Sequence, residues 1–434
     1  MGGVLRVMVR GVLLACAVVL ALGGCGGNDE ALPPDRDAST ATTEPTSPRG
    51  KSVLAGRSAG AHSEIFWADP LTLEPVGRGA ATIPFFYSVA EFSPEGDLAA
   101  VGGSEQGVIQ LLDVKRMRPL QTIELRAGQW VERLHWAQPD LLLASLGGLP
   151  SQAAAVDPTT GTLLSSKGLG GTMVASWPAG DALAFLVAPT EGIGPARVAR
   201  YDGNTVSSVE LGEIQAGYAS EGETSEDFRT RQQIPGFAVD PSGTRALVVP
   251  AGNRVAEVDL ATMDATYHDL TEPVSLLGRL RSWLEPAAEA KLMDGPGRNA
   301  VWLPYGLVAV SGVDYSTNGD SLEADFVGLS LIDSADWSVN QVSDLPGYVA
   351  FREGALLGSA WEEGSDHQML EVFGPDGELR FELDGEGVDF SQTSGGYLYA
   401  TSYDGTRFEV IDLGTGGTVA EAQPRRETYL VYVD

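Results

Sequence analysis

Short apolar runs that end on an aspartate recur along this chain: IFWAD to Asp69, IQLLD to Asp113, AAAVD to Asp157, VARYD to Asp202, VAEVD to Asp259, LSLID to Asp333 and FEVID to Asp412. LEVFG, ending at Gly374, falls in the otherwise long gap between the last two and lacks the aspartate. The copies return about every 40–57 residues, with one longer interval, which is the spacing of a blade in a radial repeat. The pattern around each copy predicts four short strands. The first ends in an apolar–Pro–Gly phrase such as Phe92-Ser-Pro94-Glu-Gly96 or Val239-Asp240-Pro241-Ser-Gly243, where Pro and Gly make a tight turn. The second is apolar and β-prone, as in LAAVGG from Leu98, LLLASLGG from Leu141 and ALAFLVA from Ala182. The third carries the aspartate. The fourth alternates apolar and polar residues, as in LQTIEL from Leu120, and suits an exposed outer edge. Eight such units predict an all-β chain folded as one eight-bladed β-propeller of four-stranded antiparallel sheets, with seven blades as the alternative.

The chain ends predict how the ring closes. Residues 52–79 supply three strands with no first strand before them, and ETYLVYVD at the C-terminus is one lone β-prone strand. Joined in one blade, they pair both edges. The long interval from Asp259 to Asp333 holds TEPVSLLGRLRSWLEPAAEAKLMDGPG. Val274, Leu277 and Leu284 fall on one helical face there, which predicts an inserted helix near 271–294, capped by Thr271, broken at Pro286 and stopped by Gly295.

The blades FSPEGDLAAVGGSEQGVIQLLDV (Phe92 to Val114) and VDPSGTRALVVPAGNRVAEVDLATM (Val239 to Met263) resemble those of WD40-like and YVTN-type bacterial propellers. The resemblance is strong in these two blades and weaker elsewhere, and WD dipeptides are missing. It implies a fold and little about the task.

The first residues set the address. Arg6 and Arg10 precede an apolar stretch from Gly11 to Leu22, which is too short to cross a bilayer of about 30 Å as a helix and reads as a signal peptide over residues 1–24. Leu22-Gly23-Gly24-Cys25 then resembles the bacterial lipoprotein lipobox, which implies cleavage before Cys25 and attachment of lipid to its thiol. The expected location is the extracytoplasmic face of the cell membrane. Cys16 is the only other cysteine and lies in the segment removed, so no disulfide competes for Cys25. Residues 25–51 are rich in Pro, Thr, Ser and charge and read as a disordered tether, holding the body (52–434) roughly 30 Å from the membrane.

Charge narrows the partners. The formal net charge is −31, and losing Arg6 and Arg10 with the signal makes it about −33. Such a surface repels nucleic acid and anionic lipid. The recurring aspartates, each at a strand end before a turn, read as Asx-turn caps. Gly56-Arg57-Ser58-Ala59-Gly60 matches the G-x-S-x-G nucleophile elbow, but a strand follows rather than a helix, so it reads as a hairpin loop. His62, His135, His268 and His367 have no metal-ligand spacing.

Loops between second and third strands share one face of a propeller. They carry Glu105, Glu191, Asp314, Asp320, Glu323, Asp325, Glu362, Glu363, Asp366 and Asp404, and the link holding Glu221, Glu223, Glu226 and Asp227 opens beside them. This predicts an acidic rim suited to a cationic partner or Ca²⁺. Asp384-Gly-Glu386-Gly-Val-Asp389 alternates carboxylates without completing an EF-hand loop. The expected function is a membrane-tethered, monomeric binding or scaffolding module for a protein or envelope component. The alternative is an envelope enzyme of lactonase, glycosidase or quinoprotein dehydrogenase type. Exposed aromatics on the acidic face favour binding, and a carboxylate–histidine pair in a central pocket favours catalysis.

Overall fold

The computed structural model describes residues 52–434 apart from 60–61, 85–86, 104–106, 127, 222–228, 272–292, 319–320, 362–366, 404–405, 425–427 and 433–434. The described residues form eight four-stranded antiparallel blades in chain order. Seven are contiguous, spanning 87–126, 130–168, 172–221, 236–269, 293–343, 348–386 and 388–422 (blades 2 to 8). Blade 1 is composite, as the chain ends predict. Val53–Ala59, His62–Ala68 and Pro75–Ile83 supply three strands, and Thr428–Tyr432 pairs with Val53–Ala59 to supply the fourth, innermost one.

The apolar runs exist because each inner strand is buried on both sides. In AAAVD, Ala154 and Val156 join the cluster shared with blade 2, while Ala153 and Ala155 join the one shared with blade 4. Eight such clusters link successive blades, and one joins Tyr399 and Phe408 of blade 8 to Val53, Phe66 and Leu430 of blade 1, closing the ring. Fully burying a Leu, Val or Phe side chain is worth about 1.5–3 kcal/mol. A turn hydrogen bond contributes about 1 kcal/mol, so the seams between blades hold the ring. Indoles add stitches across them: Trp67 donates to Val114 O (2.9 Å), Trp136 to Glu91 O (3.2 Å) and Trp177 to Phe237 O (2.7 Å).

The recurring aspartates cap turns. Asp157 Oδ1 accepts from the amides of Thr159 and Thr160 (2.8 and 3.2 Å), and Asp259 Oδ1 from Ala261 and Thr262 (2.9 and 2.8 Å). Asp69, Asp113, Asp202, Asp333 and Asp412 do the same in their blades. The bonds hold several of these carboxyls below the usual range, with the Thr160 hydroxyl acting most on Asp157 and the Thr262 amide most on Asp259. In blade 7, which has Gly374 at this step, Asp376 Oδ1 accepts from the Glu378 amide instead (3.2 Å). The G-x-S-x-G segment enters a hairpin: Gly56, Arg57 and Ser58 sit on a strand, with Ser58 opposite Ser63.

One layer of structure lies outside the blade pattern. The last strand of blade 4, Val206–Glu221, continues past its blade and turns back as Arg229–Gln233. That strand runs parallel to the start of Met293–Trp302 in blade 6, pairing Thr230 with Met293 and Arg231 with Asp294. Leu307–Asn318 likewise overruns its blade and pairs with Ser321–Phe326. The result is a crown sheet that bridges blades 4 and 6 across the start of blade 5. Gly295, expected to stop a helix, is a strand residue of this crown with φ +113°, and a Cβ there would stand 2.1 Å from Gln232 O. Thr271 donates backbone and side-chain hydrogen bonds to Trp337 O. The helix expected near 271–294 falls at 272–292, outside the described residues.

Candidate functional site

Strand order divides the ring into two ends. One carries the first-to-second and third-to-fourth turns, with the Pro–Gly and aspartate caps. The other carries the second-to-third loops, the links between blades and the crown, and this is the face where the acidic rim is expected.

Of the rim carboxylates, Glu191, Asp314 and Asp325 have described surroundings. Glu105, Asp320, Glu223, Glu226, Asp227, Glu362, Glu363, Asp366 and Asp404 lie outside the described residues, and of Glu221 and Glu323 only the backbone is described. Glu191 and Asp325 are exposed. Asp314 is committed within the protein: Arg298, its guanidinium fully buried, donates Nη1–H bonds to Asp314 Oδ1 (2.6 Å) and Gly297 O (3.1 Å). The pair ties the crown together, because Arg298 lies midway along the first strand of blade 6 and Asp314 stands where the second strand leaves the blade. Removing one member of such a buried pair costs about 3–5 kcal/mol. Asp314 is therefore a structural carboxylate.

The histidines are dispersed. His62 is exposed at a hairpin end. His135 Nε2 donates to Gly180 O at 2.7 Å, and burial depresses its pKa. His268 stacks on Trp337 with ring centroids 3.8 Å apart and contacts Glu257 at 3.1 Å. His367 pairs with Asp384 at 2.5 Å. Both carboxylate–histidine pairs sit on third and fourth strands, toward the outside of the ring, rather than on the innermost strands. In the alternating acidic stretch, Asp384 and Glu386 belong to the last strand of blade 7 and Asp389 to the first of blade 8. Among the described residues, no three His, Cys, Asp or Glu side chains are placed to hold a metal ion.

Two carboxylates that sequence reasoning passed over have unusual surroundings. Glu132 stands near the start of the innermost strand of blade 3, on the loop-bearing face. The Trp130 indole donates to its Oε1 (3.0 Å), and its Oε2 is buried with no hydrogen-bond partner. The carboxylate and indole lie against Gly147, where a Cβ would meet Glu132 Oε1 at 2.2 Å. Burial pushes this carboxyl up to about 7, against the opposing pull of the Trp130 hydrogen bond and the Arg133 charge. Glu371 is the second, at 7% exposure between blades 6 and 7. A charged residue inside the apolar run LEVF was the signal for it.

Large apolar side chains are exposed on the same face: Trp130 (40%) and Leu149 (74%) in blade 3, Tyr218 (44%) in the crown, Leu345 (42%) between blades 6 and 7, and Tyr403 (54%) in blade 8. At the opposite end Tyr305 (86%) is the exposed aromatic side chain among the described residues.

No protein-family model matches this chain, and no curated protein matches it. Among solved structures it is similar to the dihydro-heme d1 dehydrogenase NirN in complex with DHE, with a TM-score of 0.55 and 13% identity over 88% of this chain and 75% of that one. It is also similar to apo AztD from Citrobacter koseri (TM-score 0.47, 11% identity, 87% and 96% covered). A third likeness is to BamB from Moraxella catarrhalis (TM-score 0.46, 14% identity, 77% and 87% covered). At these identities a likeness concerns architecture alone, and that to NirN together with the eight closed seams establishes the fold: the chain is a β-propeller.

Proposed function

We propose that this protein is a lipid-anchored docking module of the cell envelope. Cys25 carries the lipid, residues 25–51 are the tether, and the propeller presents its loop-bearing face to a protein partner. The observation that carries this reading is the set of exposed Trp130, Leu149, Tyr218, Leu345 and Tyr403 on the end that also bears Glu191 and Asp325. Exposed apolar groups ringed by polar ones mark interaction surfaces, and Trp and Tyr supply most of the energy when such surfaces are buried. With a formal net charge of −31, the surface favours a basic partner and fast, salt-sensitive association.

The anchor and the docking role are tested separately. Cys25→Ser is expected to move the protein from the membrane pellet to the soluble extracytoplasmic fraction, and a variant that still pellets would refute the lipid attachment. Affinity capture of the intact protein from solubilised envelope, at low and high salt, is expected to yield a partner that high salt releases. Capture that is indifferent both to salt and to Trp130→Ala with Tyr218→Ala would remove the docking face.

A further inference from the structure

We infer that the cleft between blades 6 and 7 is a receptor for the guanidinium group of an arginine side chain presented by a protein partner, with Glu371 at its floor and Glu382 and Asp344 at its mouth. This deepens the docking role proposed above and rests on it.

The argument starts from a repeat within the molecule. Three residues before the end of the aspartate-bearing strand, several blades place a polar side chain inside the apolar run: Gln110 in blade 2, Glu371 in blade 7 and Glu409 in blade 8. In blade 2 the fourth strand answers it. Thr122, directly opposite Gln110, donates to its Oε1 at 2.7 Å, and Gln110 Nε2 donates to Gln121 O at 2.7 Å. In blade 8 Glu409 also stands opposite a carboxylate, Glu421, but it is only half-buried and the Thr418 hydroxyl donates to it. In blade 7 the residue directly opposite Glu371 is Glu382, a second carboxylate. Like charges facing each other across two strands destabilise a sheet, and the cost is greatest for Glu371, which is 7% exposed and has an oxygen, Oε2, without a hydrogen-bond partner.

Among the described residues, no cation acts on Glu371. Blade 6 faces this spot with Ser343 and Asp344, and the neighbouring charges that act on Glu371 are Glu382 and Asp344. The Ser343 hydroxyl hydrogen-bonds Glu371, but Oε2 is buried without a partner. Burial raises the carboxyl's pKa, Ser343 opposes that, and the two acidic neighbours add to it. Asp344 and Glu382 are exposed, so solvent reaches the edge of the seam beside the buried Glu371. Gln341 Nε2 donates to Asp344 Oδ1 at 2.7 Å and fixes the rim. Leu345, 42% exposed, stands beside Asp344, and buried Pro346 fills the space over Gly358, where a Cβ would meet Pro346 Cγ at 2.7 Å.

A buried, unpartnered acceptor below two exposed carboxylates, with an apolar wall, matches one side chain best. A guanidinium is planar, spreads five donors over a fork that can bridge carboxylates, and is weakly hydrated enough to enter a half-buried site along its aliphatic stem. A bare metal ion needs its ligands closer together than these are, since among the described residues no such trio is placed to hold one.

The test titrates the intact protein with a hexa-arginine peptide, comparing wild type, Glu371→Gln and Glu210→Gln. Glu210 is exposed on blade 4, so its substitution removes the same charge elsewhere. Glu371→Gln is expected to weaken binding about tenfold or more, a loss of about 1.4 kcal/mol, while Glu210→Gln stays within about twofold. Without peptide, Glu371→Gln is expected to raise the melting temperature by about 2 °C, because it relieves an unmatched buried charge. Equal weakening in both variants would make the effect one of net charge and overturn the receptor. So would failure of the wild type to bind, or a lowered melting temperature in Glu371→Gln. Displacement of the peptide by Ca²⁺, where Na⁺ at equal ionic strength has no effect, would reassign the cleft to a metal ion. If salt-sensitive capture of an envelope partner persists unchanged in Glu371→Gln, the docking face stands and this cleft is not part of it.

Discussion

Removing the last seven residues, and with them the strand Thr428–Tyr432, is expected to cost the propeller its cooperative unfolding and to lower its melting temperature by at least about 5 °C. The strand is the innermost member of blade 1, so its loss leaves the edge of Val53–Ala59 unpaired at the centre of the ring. It also removes Leu430 (4% exposed) from the cluster that joins blade 8 to blade 1. That seam is where the two ends of the chain meet, and without it the ring becomes an open array with two terminal blades. Open edges invite pairing between molecules, so aggregation on heating is expected to rise. The milder Leu430→Ala leaves the backbone pairing in place and is expected to cost about 2–5 kcal/mol by cavity formation alone. Urea unfolding followed by far-UV and tryptophan signals checks both. A truncated chain that melted like the full one, with coincident signals, would show that the composite blade does not close the ring.

The architecture was legible because two independent periodicities coincide. Strands such as LLLASLG and AAAVD are apolar at successive positions since both of their faces meet a neighbouring blade, and only an array of radially packed sheets asks that of so many short strands. The chain ends were legible for a related reason, as three strands at one end and one at the other complete a single sheet. The crown was not read. Its key pairing sets Thr230 beside Met293, more than sixty residues apart and parallel, and no local pattern announces such a contact. Two local hints were present: Val206–Glu221 keeps its β-character for sixteen residues, and Asn318-Gly319 is a strong hairpin signal between the paired strands Leu307–Asn318 and Ser321–Phe326.

The site was less legible because it depends on register. Loop position put Asp314 and Asp325 on the same end of the ring, yet it could not distinguish Asp325, which is exposed, from Asp314, which is bound to Arg298. Nor could it place Glu382 opposite Glu371, since a bulge between Val372 and Phe373 shifts how the strand ends align. Charge is a property of composition. Whether a charge is available to a partner is decided by one step of strand pairing.

Glu132→Gln is expected to stabilise the protein at pH 8 and to leave it nearly unchanged at pH 4. The Glu132 carboxyl sits at about 7 in the folded protein, against 4.5 for the ordinary group. Between these values the folded state holds a proton that the unfolded state has released, so stability falls as pH rises through the interval and levels off above about 7. Each pKa unit corresponds to about 1.4 kcal/mol, and the partial exposure of the residue reduces the whole to about 2 kcal/mol above pH 7. Glutamine keeps an oxygen for the Trp130 indole and carries no charge, so it removes the penalty without opening a cavity. Urea unfolding at a series of pH values checks the slope. Wild type and variant should diverge between about pH 4.5 and 7 and then run parallel. Trp130 offers a second readout, because its indole hydrogen-bonds the titrating group and is 40% exposed on the loop-bearing face. Its fluorescence should shift near pH 7 in the wild type and stay flat in Glu132→Gln. A partner that buries Trp130 would exclude water from Glu132 and favour the protonated acid further, so its binding should weaken as pH rises above 7 and become independent of pH in the variant. Parallel stability curves across the whole range would place the Glu132 carboxyl at its ordinary value and remove this pH-sensitive contact from the docking face.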